Sequence, residues 1–74
     1  MIPIDRLNIN MQYWFICRNF KVFGRYKGMD KKIVKIDEAF IYFTSAAKKA
    51  FCIEQYYLLD SDVIVDIKVT ESDA

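Results

Sequence analysis

The stretch FKVFGRYKGMD, residues 20–30, has the largest influence on how the rest of the chain is interpreted. Its apolar side chains alternate with cationic ones, which is typical of a β-strand that buries one face. Gly24 and Gly28 nevertheless lie inside it, on either side of Tyr26. A glycine weakens a strand unless the backbone bends there or another group needs the space. The stretch therefore predicts a bent strand in a small β-structure.

Length and composition indicate a single small domain over residues 1–74. A chain of 74 residues buries only a small core, so its stability is expected to be marginal. Apolar residues make up 54% of the chain and aromatic residues 16%, which is more than so small a monomer easily hides. Part of this surface is therefore expected to contact another subunit, although a core unusually rich in aromatics is the simpler alternative.

Charge is distributed unevenly along the chain, although the net charge is only +1. Residues 18–35 contain seven basic residues against a single acid, Asp30, whereas residues 54–74 contain six acids and one lysine, Lys68. This asymmetry is compatible with a basic face for phosphate groups and an acidic tail, and equally with ordinary solvated strand faces.

The cysteines and the hydropathy pattern indicate an intracellular protein. Cys17 and Cys52 match no metal-binding or redox spacing, so reduced, buried thiols are expected. The first ten residues carry Asp5 and Arg6 and lack the apolar segment of a signal peptide. No stretch reaches the length of about 18 uncharged apolar residues that a membrane span needs. We therefore expect a cytoplasmic protein without membrane contact.

Short alternating segments predict five or six strands. The first covers residues 12–17, where Tyr13 and Trp14 are expected to be packing residues rather than an aromatic binding patch. A turn at residues 18–19 leads into the glycine-containing strand. Residues 33–36 and 39–45 form either two strands or one long strand with a bulge at Asp37 and Glu38.

The last third of the chain is less clearly patterned. Residues 45–59 show both helical and strand spacing, and their β-favouring composition favours a hairpin turn at residues 46–49 followed by a strand. Residues 63–69, VIVDIKV, alternate most regularly and are predicted to form the clearest strand of the chain.

Residues 19–30, NFKVFGRYKGMD, resemble the first signature of the Sm and Hfq family. That signature alternates apolar residues up to a first glycine, continues to a second one and ends at an aspartate, positions that are held here by Phe20, Val22, Gly24, Tyr26, Gly28, Met29 and Asp30. The resemblance implies a mainly β fold, namely a small, strongly bent, five-stranded antiparallel barrel of the Sm-like (SH3-like) type. It also implies that the strand curves at Gly24 and that Tyr26 points into the barrel.

More weakly, the similarity covers residues 12–69. It leaves an N-terminal arm, residues 1–11, that forms at most a turn or a short helix, and a disordered tail, residues 70–74. Two features of the family are missing. The signature aspartate is followed by Lys31 instead of asparagine, and Gln55 and Tyr56 stand where the second signature would be. These departures weaken the implied RNA contacts more than the implied fold.

The family's assembly implies a homo-oligomeric ring. The fourth strand of one subunit pairs there with the fifth strand of the next, and a ring of roughly five to seven copies closes when the rotation per subunit divides a full turn. Applied to this chain, residues 51–55 pair with residues 63–67 of a neighbour. The implied interface residues are Phe51, Ile53, Val63, Val65 and Ile67.

Rings of this family bind single-stranded RNA around the pore. Bases lie against an aromatic ring, an amide reads a base edge and lysines contact phosphate. The positions that match are Asp30, Lys31, Lys32, Gln55 and Tyr56. Each of them is equally compatible with an ordinary structural role, in the core, the interface or a solvated turn.

Catalysis is not expected. The chain has no histidine, which excludes Ser-His and Cys-His arrangements and His-bearing zinc sites. Asp37 and Glu38 would point to opposite faces of a strand, and no glycine-rich phosphate loop precedes a helix. We predict no catalytic residues, metal ligands or cofactor.

The main hypothesis is therefore a non-catalytic RNA-binding ring; the alternative is a small barrel, such as an inhibitor or adaptor from a phage or another mobile element, that binds a protein partner and no RNA.

Overall fold

A computed structural model describes residues 1–43, 48–52 and 56–70 of the chain. Its regular elements are a 3₁₀ helix at Ile4–Arg6, strands β1 (Gln12–Ile16), β2 (Phe20–Asp30), β3 (Ile33–Phe43), β4 (Lys48–Cys52) and β5 (Tyr57–Asp60), a second 3₁₀ helix at Ser61–Val63, and β6 (Asp66–Lys68). The prediction of a mainly β chain is confirmed.

All strand pairings are antiparallel, and together they form one open sheet. Five strands follow one another in the order β4-β3-β2-β1-β6, while β5 pairs with the other half of β3. Within the described residues no pairing joins β6 to β4 or β5, so the sheet does not close on itself. The antiparallel architecture agrees with the sequence-based expectation, and a closed barrel is not seen.

The two longest strands contain two irregularities in their pairing. Phe23 pairs with Phe40 but Arg25 with Asp37, so β3 holds an extra residue near Glu38, whose φ of 52° is left-handed. A second shift lies in β2 before Gly28, which has a φ of 113°. Bulges of this kind bend a strand and increase its twist. Residues 33–43 are therefore one long strand with a bulge at the acids, which was one of the two predicted alternatives.

The core lies against one face of this bent sheet. Val22, Gly24 and Tyr26 of β2 are all buried, which confirms the predicted alternation and the inward position of Tyr26. The buried hydrophobic residues are Tyr13, Phe15, Cys17, Val22, Tyr26, Val34, Ile36, Ala39, Ile41, Leu59 and Ile67. The core is thus contributed mainly by β1, β2 and β3.

The N-terminal arm is attached to the core. As expected, it contains no more than one short helix, at Ile4–Arg6. Ile2, Ile4 and Leu7 pack against the core cluster. The backbone N–H of Tyr26 donates to the carbonyl of Met11 at 2.9 Å, which fixes the end of the arm beside the middle of β2.

The prediction of a long last strand over residues 63–69 is wrong. Residues Ser61–Val63 form a 3₁₀ helix, and only Asp66–Lys68 form a strand. The carboxylate of Asp60 accepts a hydrogen bond from the backbone N–H of Asp62 at 2.9 Å. Such local side-chain to backbone bonds compete with strand pairing, so the regular alternation of residues 63–69 is overridden.

The predicted fourth strand is divided in the structure. β4 and β5 both run antiparallel to β3, and residues 53–55 between them lie outside the described residues. Lys48 and Lys49 belong to β4 and not to a hairpin turn. The rest of that predicted turn, residues 46–47, lies outside the described residues, as do residues 44–45 before it. Most of the predicted disordered tail, residues 71–74, also lies outside them.

Burial of Cys17 predicts a loss of stability at high pH. Burial raises the pKa of its thiol from 9.0 to about 11. Well below pH 9 the thiol is protonated in both states; above pH 9 the unfolded chain ionises first, so the folded state has lost about 2 kcal/mol of stability at pH 11. Denaturant titrations at pH 8, 9.5 and 11 should show this loss. Cys17→Ala should remove this part of the pH dependence, and an unchanged profile would contradict the assignment.

Candidate nucleic-acid interface

Three aromatic rings lie side by side on the outer face of the sheet, opposite the core. The centroids of Trp14 and Phe23 are 4.9 Å apart, and those of Trp14 and Tyr42 are 5.5 Å apart. All three side chains are partly exposed. We call Trp14, Phe23 and Tyr42 the aromatic platform. An exposed ring face of this kind offers a stacking surface to a planar ligand.

Alternation along three adjacent strands creates this platform. Tyr13 and Phe15 point into the core, so Trp14 between them points outward. Trp14 pairs with Phe23, and β3 brings Tyr42 opposite Lys21. Phe40, two residues before Tyr42 on β3, pairs with Phe23 and shares its face, so it adds a second aromatic residue from β3 to this face.

Cationic side chains accompany the platform. The ammonium of Lys21 lies 5.3 Å from the centroid of the Trp14 ring, which is cation–π distance. Lys68 of β6 pairs with Trp14 from the other side, with its ammonium 3.9 Å from an Asp66 carboxylate oxygen. The site therefore combines flat apolar rings with nearby positive charge, which suits a ligand that has both bases and phosphates.

Further along the same face, cations are held by the β2 bulge region. Arg25 donates to a Glu38 carboxylate oxygen at 2.9 Å and to the backbone carbonyl of Asn10 at 2.7 Å. Lys27 donates to the Asn10 side-chain oxygen at 2.6 Å. These contacts position the arm and the bulge, so Arg25 and Lys27 are already engaged within the chain.

The predicted pore-loop residues Asp30, Lys31 and Lys32 lie together at the β2–β3 turn. Lys31 is exposed with a left-handed φ of 56°, as a tight turn requires. Lys32 forms an ion pair with Asp62, and its carbonyl accepts from the N–H of Ser61 at 2.8 Å. The hydrogen bond to Asp62 and the charges of Asp62 and Asp60 raise the pKa of Lys32. The β2–β3 turn therefore contacts the second 3₁₀ helix, Ser61–Val63.

Tyr56, one of the two predicted loop partners of that turn, is not beside it. Tyr56 is exposed, but Ile33 pairs with Asp60, so Tyr56 lies four residues away along β5, or about 13 Å. Gln55 lies outside the described residues. The structure therefore brings three of the five residues together, and their contacts with RNA stay a prediction.

The predicted oligomer interface is only partly described. Phe51 belongs to β4, without a described side chain, and Ile53 lies outside the described residues. Val63 and Val65 are exposed, whereas Ile67 is buried in the core of its own chain. The two valines line a cleft of about 370 Å³, together with Cys17, Arg18, Asn19, Phe20 and Asp62.

Sequence reasoning missed the platform because its rings come from three separate segments. Phe23 is the one aromatic residue among Lys21, Arg25 and Lys27 on the outer side of β2, but its aromatic neighbours are determined by strand register. Within residues 1–43 and 56–70 no group of three metal-ligating side chains occurs. In the same part of the chain, no helix has the length and hydropathy to cross a membrane.

Comparisons with known proteins leave this geometry as the main guide to function. No protein-family model matches the chain, and no curated protein is significantly similar to it in sequence.

Proposed function

We propose that this chain is a non-catalytic, cytoplasmic, Sm-like protein that binds single-stranded RNA, and that the aromatic platform is where bases stack. The single observation that carries the proposal is the cluster of Trp14, Phe23 and Tyr42, with the Lys21 ammonium 5.3 Å from the Trp14 ring. Stacking on such rings contributes about 1–3 kcal/mol per base and tolerates any base, because every base has a flat π-face.

Two features support the Sm-like part of the proposal. In the open sheet the last short strand, β6, pairs with β1, while β4 and β5 both pair with β3, and this antiparallel order is compatible with a bent five-stranded barrel. Gly24 lies under the bulge of β3, where the resemblance predicts the bend. The homo-oligomeric ring, and the RNA contacts of residues 30–32, 55 and 56, belong to the same proposal.

Fluorescence of the single tryptophan tests the function directly. Trp14 is the only tryptophan of the chain, so its emission reports the platform alone. Ten-nucleotide oligo(U) and oligo(A) should quench it, and a base-paired hairpin of the same charge should quench it less, because paired bases are already stacked. The dissociation constant should rise with salt, with a logarithmic slope of about 0.7 per phosphate contacted. Absence of quenching and of any electrophoretic shift at low salt would contradict the proposal.

A protein-binding barrel is the second candidate. The observation that favours it is the cleft beside β6, which has exposed Val63 and Val65 in its wall. An apolar wall of this kind suits a peptide side chain better than a phosphate. A chain that ignores every RNA tested but retains a protein partner sensitive to Val65→Asp would replace the RNA-binding proposal.

A further inference from the structure

The edge of β6 is occupied by the chain's own N-terminal arm. Ile67 is the central residue of this three-residue strand. Its carbonyl accepts a hydrogen bond from the N–H of Ile2 at 3.1 Å, and its N–H donates to the carboxylate of Asp66 at 2.8 Å. Both main-chain groups of one residue point to the same side of an antiparallel strand, here away from β1. The groups that a further strand would use are therefore already bonded.

The arm is held in this position by apolar burial as well as by the hydrogen bond. Ile2, Ile4 and Leu7 pack on the core cluster, while Pro3, Asp5 and Arg6 between them are exposed. We call residues 2–7 the strap. Its partly buried side chains face the core while the exposed ones face solvent, and the Ile2 N–H bonds to the edge of β6, so the strap covers that edge. A covered edge is a known means of preventing strand-to-strand association.

We propose that the strap gates self-assembly, because it covers the β6 edge to which β4 of a second copy would otherwise add. The inference concerns how the proposed ring assembles, and it rests on the proposed function. The occupant is a second copy because β4 is the terminal strand at the other side of the same sheet, with pairing to β3 alone among the described residues. Two unlike edges on opposite sides of one chain give head-to-tail association, which forms rings or filaments.

Charge and size agree with this assignment. β4 contributes Lys48 and Lys49, whereas β6 carries one acid, Asp66, and one base, Lys68, so β6 has no net charge that would repel the lysines of β4. An added strand must replace one Ile2 hydrogen bond and the packing of three apolar side chains. Because β4 has five residues and β6 only three, the gain in backbone bonds is modest, and the strap competes effectively.

Two substitutions of one strap residue separate the hydrogen bond from the packing. Ile2→Pro removes the N–H that bonds to Ile67, whereas Ile2→Ala keeps it and also shortens the side chain. At micromolar concentration, light scattering should give the wild type and Ile2→Ala a mean mass between that of a single chain, 8.8 kDa, and that of the ring, because the strap keeps part of the chains monomeric. Ile2→Pro should give a higher mean mass, up to that of the complete ring. Equal masses for all three folded proteins would overturn the inference.

Hydrogen exchange keeps the test independent of how well the proline variant folds. In the wild-type monomer the Ile2 amide should exchange slowly, and its protection should fall as concentration rises and copies displace the strap. Exchange of Ile2 at the rate of a free peptide would overturn the inference. Quenching of Trp14 by RNA is measured separately and needs no assembly, so a strap that fails these tests leaves the RNA-binding proposal intact.

Discussion

Gly24→Val is expected to abolish folding, the largest effect of any single substitution considered for this chain. A Cβ atom at residue 24 would overlap Cγ2 of Ile36 and would lie 2.9 Å from the carbonyl oxygen of Asp37 and 3.2 Å from Cα of Ala39. Two of these three neighbours are backbone atoms of the β3 bulge, which cannot rotate away. The cost should therefore exceed the roughly 1–3 kcal/mol of ordinary overpacking.

A domain of this size has little stability to lose. A core in a chain under about 70–80 residues rarely supplies more than about 3–5 kcal/mol, so the branched side chain of valine should leave no folded population. Even Gly24→Ala should lower the midpoint of urea unfolding strongly. Circular dichroism and the dispersion of proton NMR signals would show the loss. A Gly24→Val protein with native spectra and an unchanged midpoint would refute this account of residue 24.

Gly28→Ala is the matched control, since the second glycine is present for another reason. Its φ of 113° is a backbone conformation that residues with a side chain rarely adopt, but a Cβ there would meet only Cδ1 of Ile9, at 3.5 Å. The expected cost is the backbone strain alone, about 1–3 kcal/mol. The ratio of the two effects therefore distinguishes a close backbone approach at Gly24 from a special dihedral at Gly28.

These two glycines also show how far the sequence could be interpreted. Alternation in residues 20–30 was sufficient to predict β2, its buried face and the inward position of Tyr26, because local pattern and burial agree there. The bulge at Glu38 was one of two predicted alternatives. Sequence could not choose between them, since a left-handed residue in the middle of a strand becomes favourable only when the partner strand is bent at Gly24.

The C-terminal region was less predictable for a physical reason. Val63, Val65, Ile67 and Val69 alternate more regularly than any other set, yet only Ile67 is buried. Alternation shows that a strand is possible, whereas burial depends on a partner. The Asp60 side chain turns the backbone at Asp62, and the strand begins only at Asp66. The platform could not be predicted for a related reason, because strand register decides which side chains become neighbours. Its rings are up to 28 positions apart in sequence, from Trp14 to Tyr42.

Replacing two rings of the platform should nearly eliminate RNA binding while the fold survives. The double variant Phe23→Leu, Tyr42→Leu keeps apolar cover on the sheet and leaves Trp14 as the fluorescent reporter. Each lost ring should weaken binding by about 1–3 kcal/mol, or roughly 5- to 150-fold in the dissociation constant. The salt dependence should stay the same, because no phosphate contact is removed.

Two further variants show whether stacking is the cause. Phe43→Leu removes an exposed ring that pairs with Phe20, with centroids 6.3 Å apart, outside the platform, so RNA affinity should not change. Lys21→Gln should weaken binding moderately and also reduce the salt slope, since it removes one cation. If the double variant bound RNA as tightly as Phe43→Leu, bases would not be stacking on this face, and any RNA affinity would have to arise elsewhere, as at the proposed contacts of residues 30–32, 55 and 56.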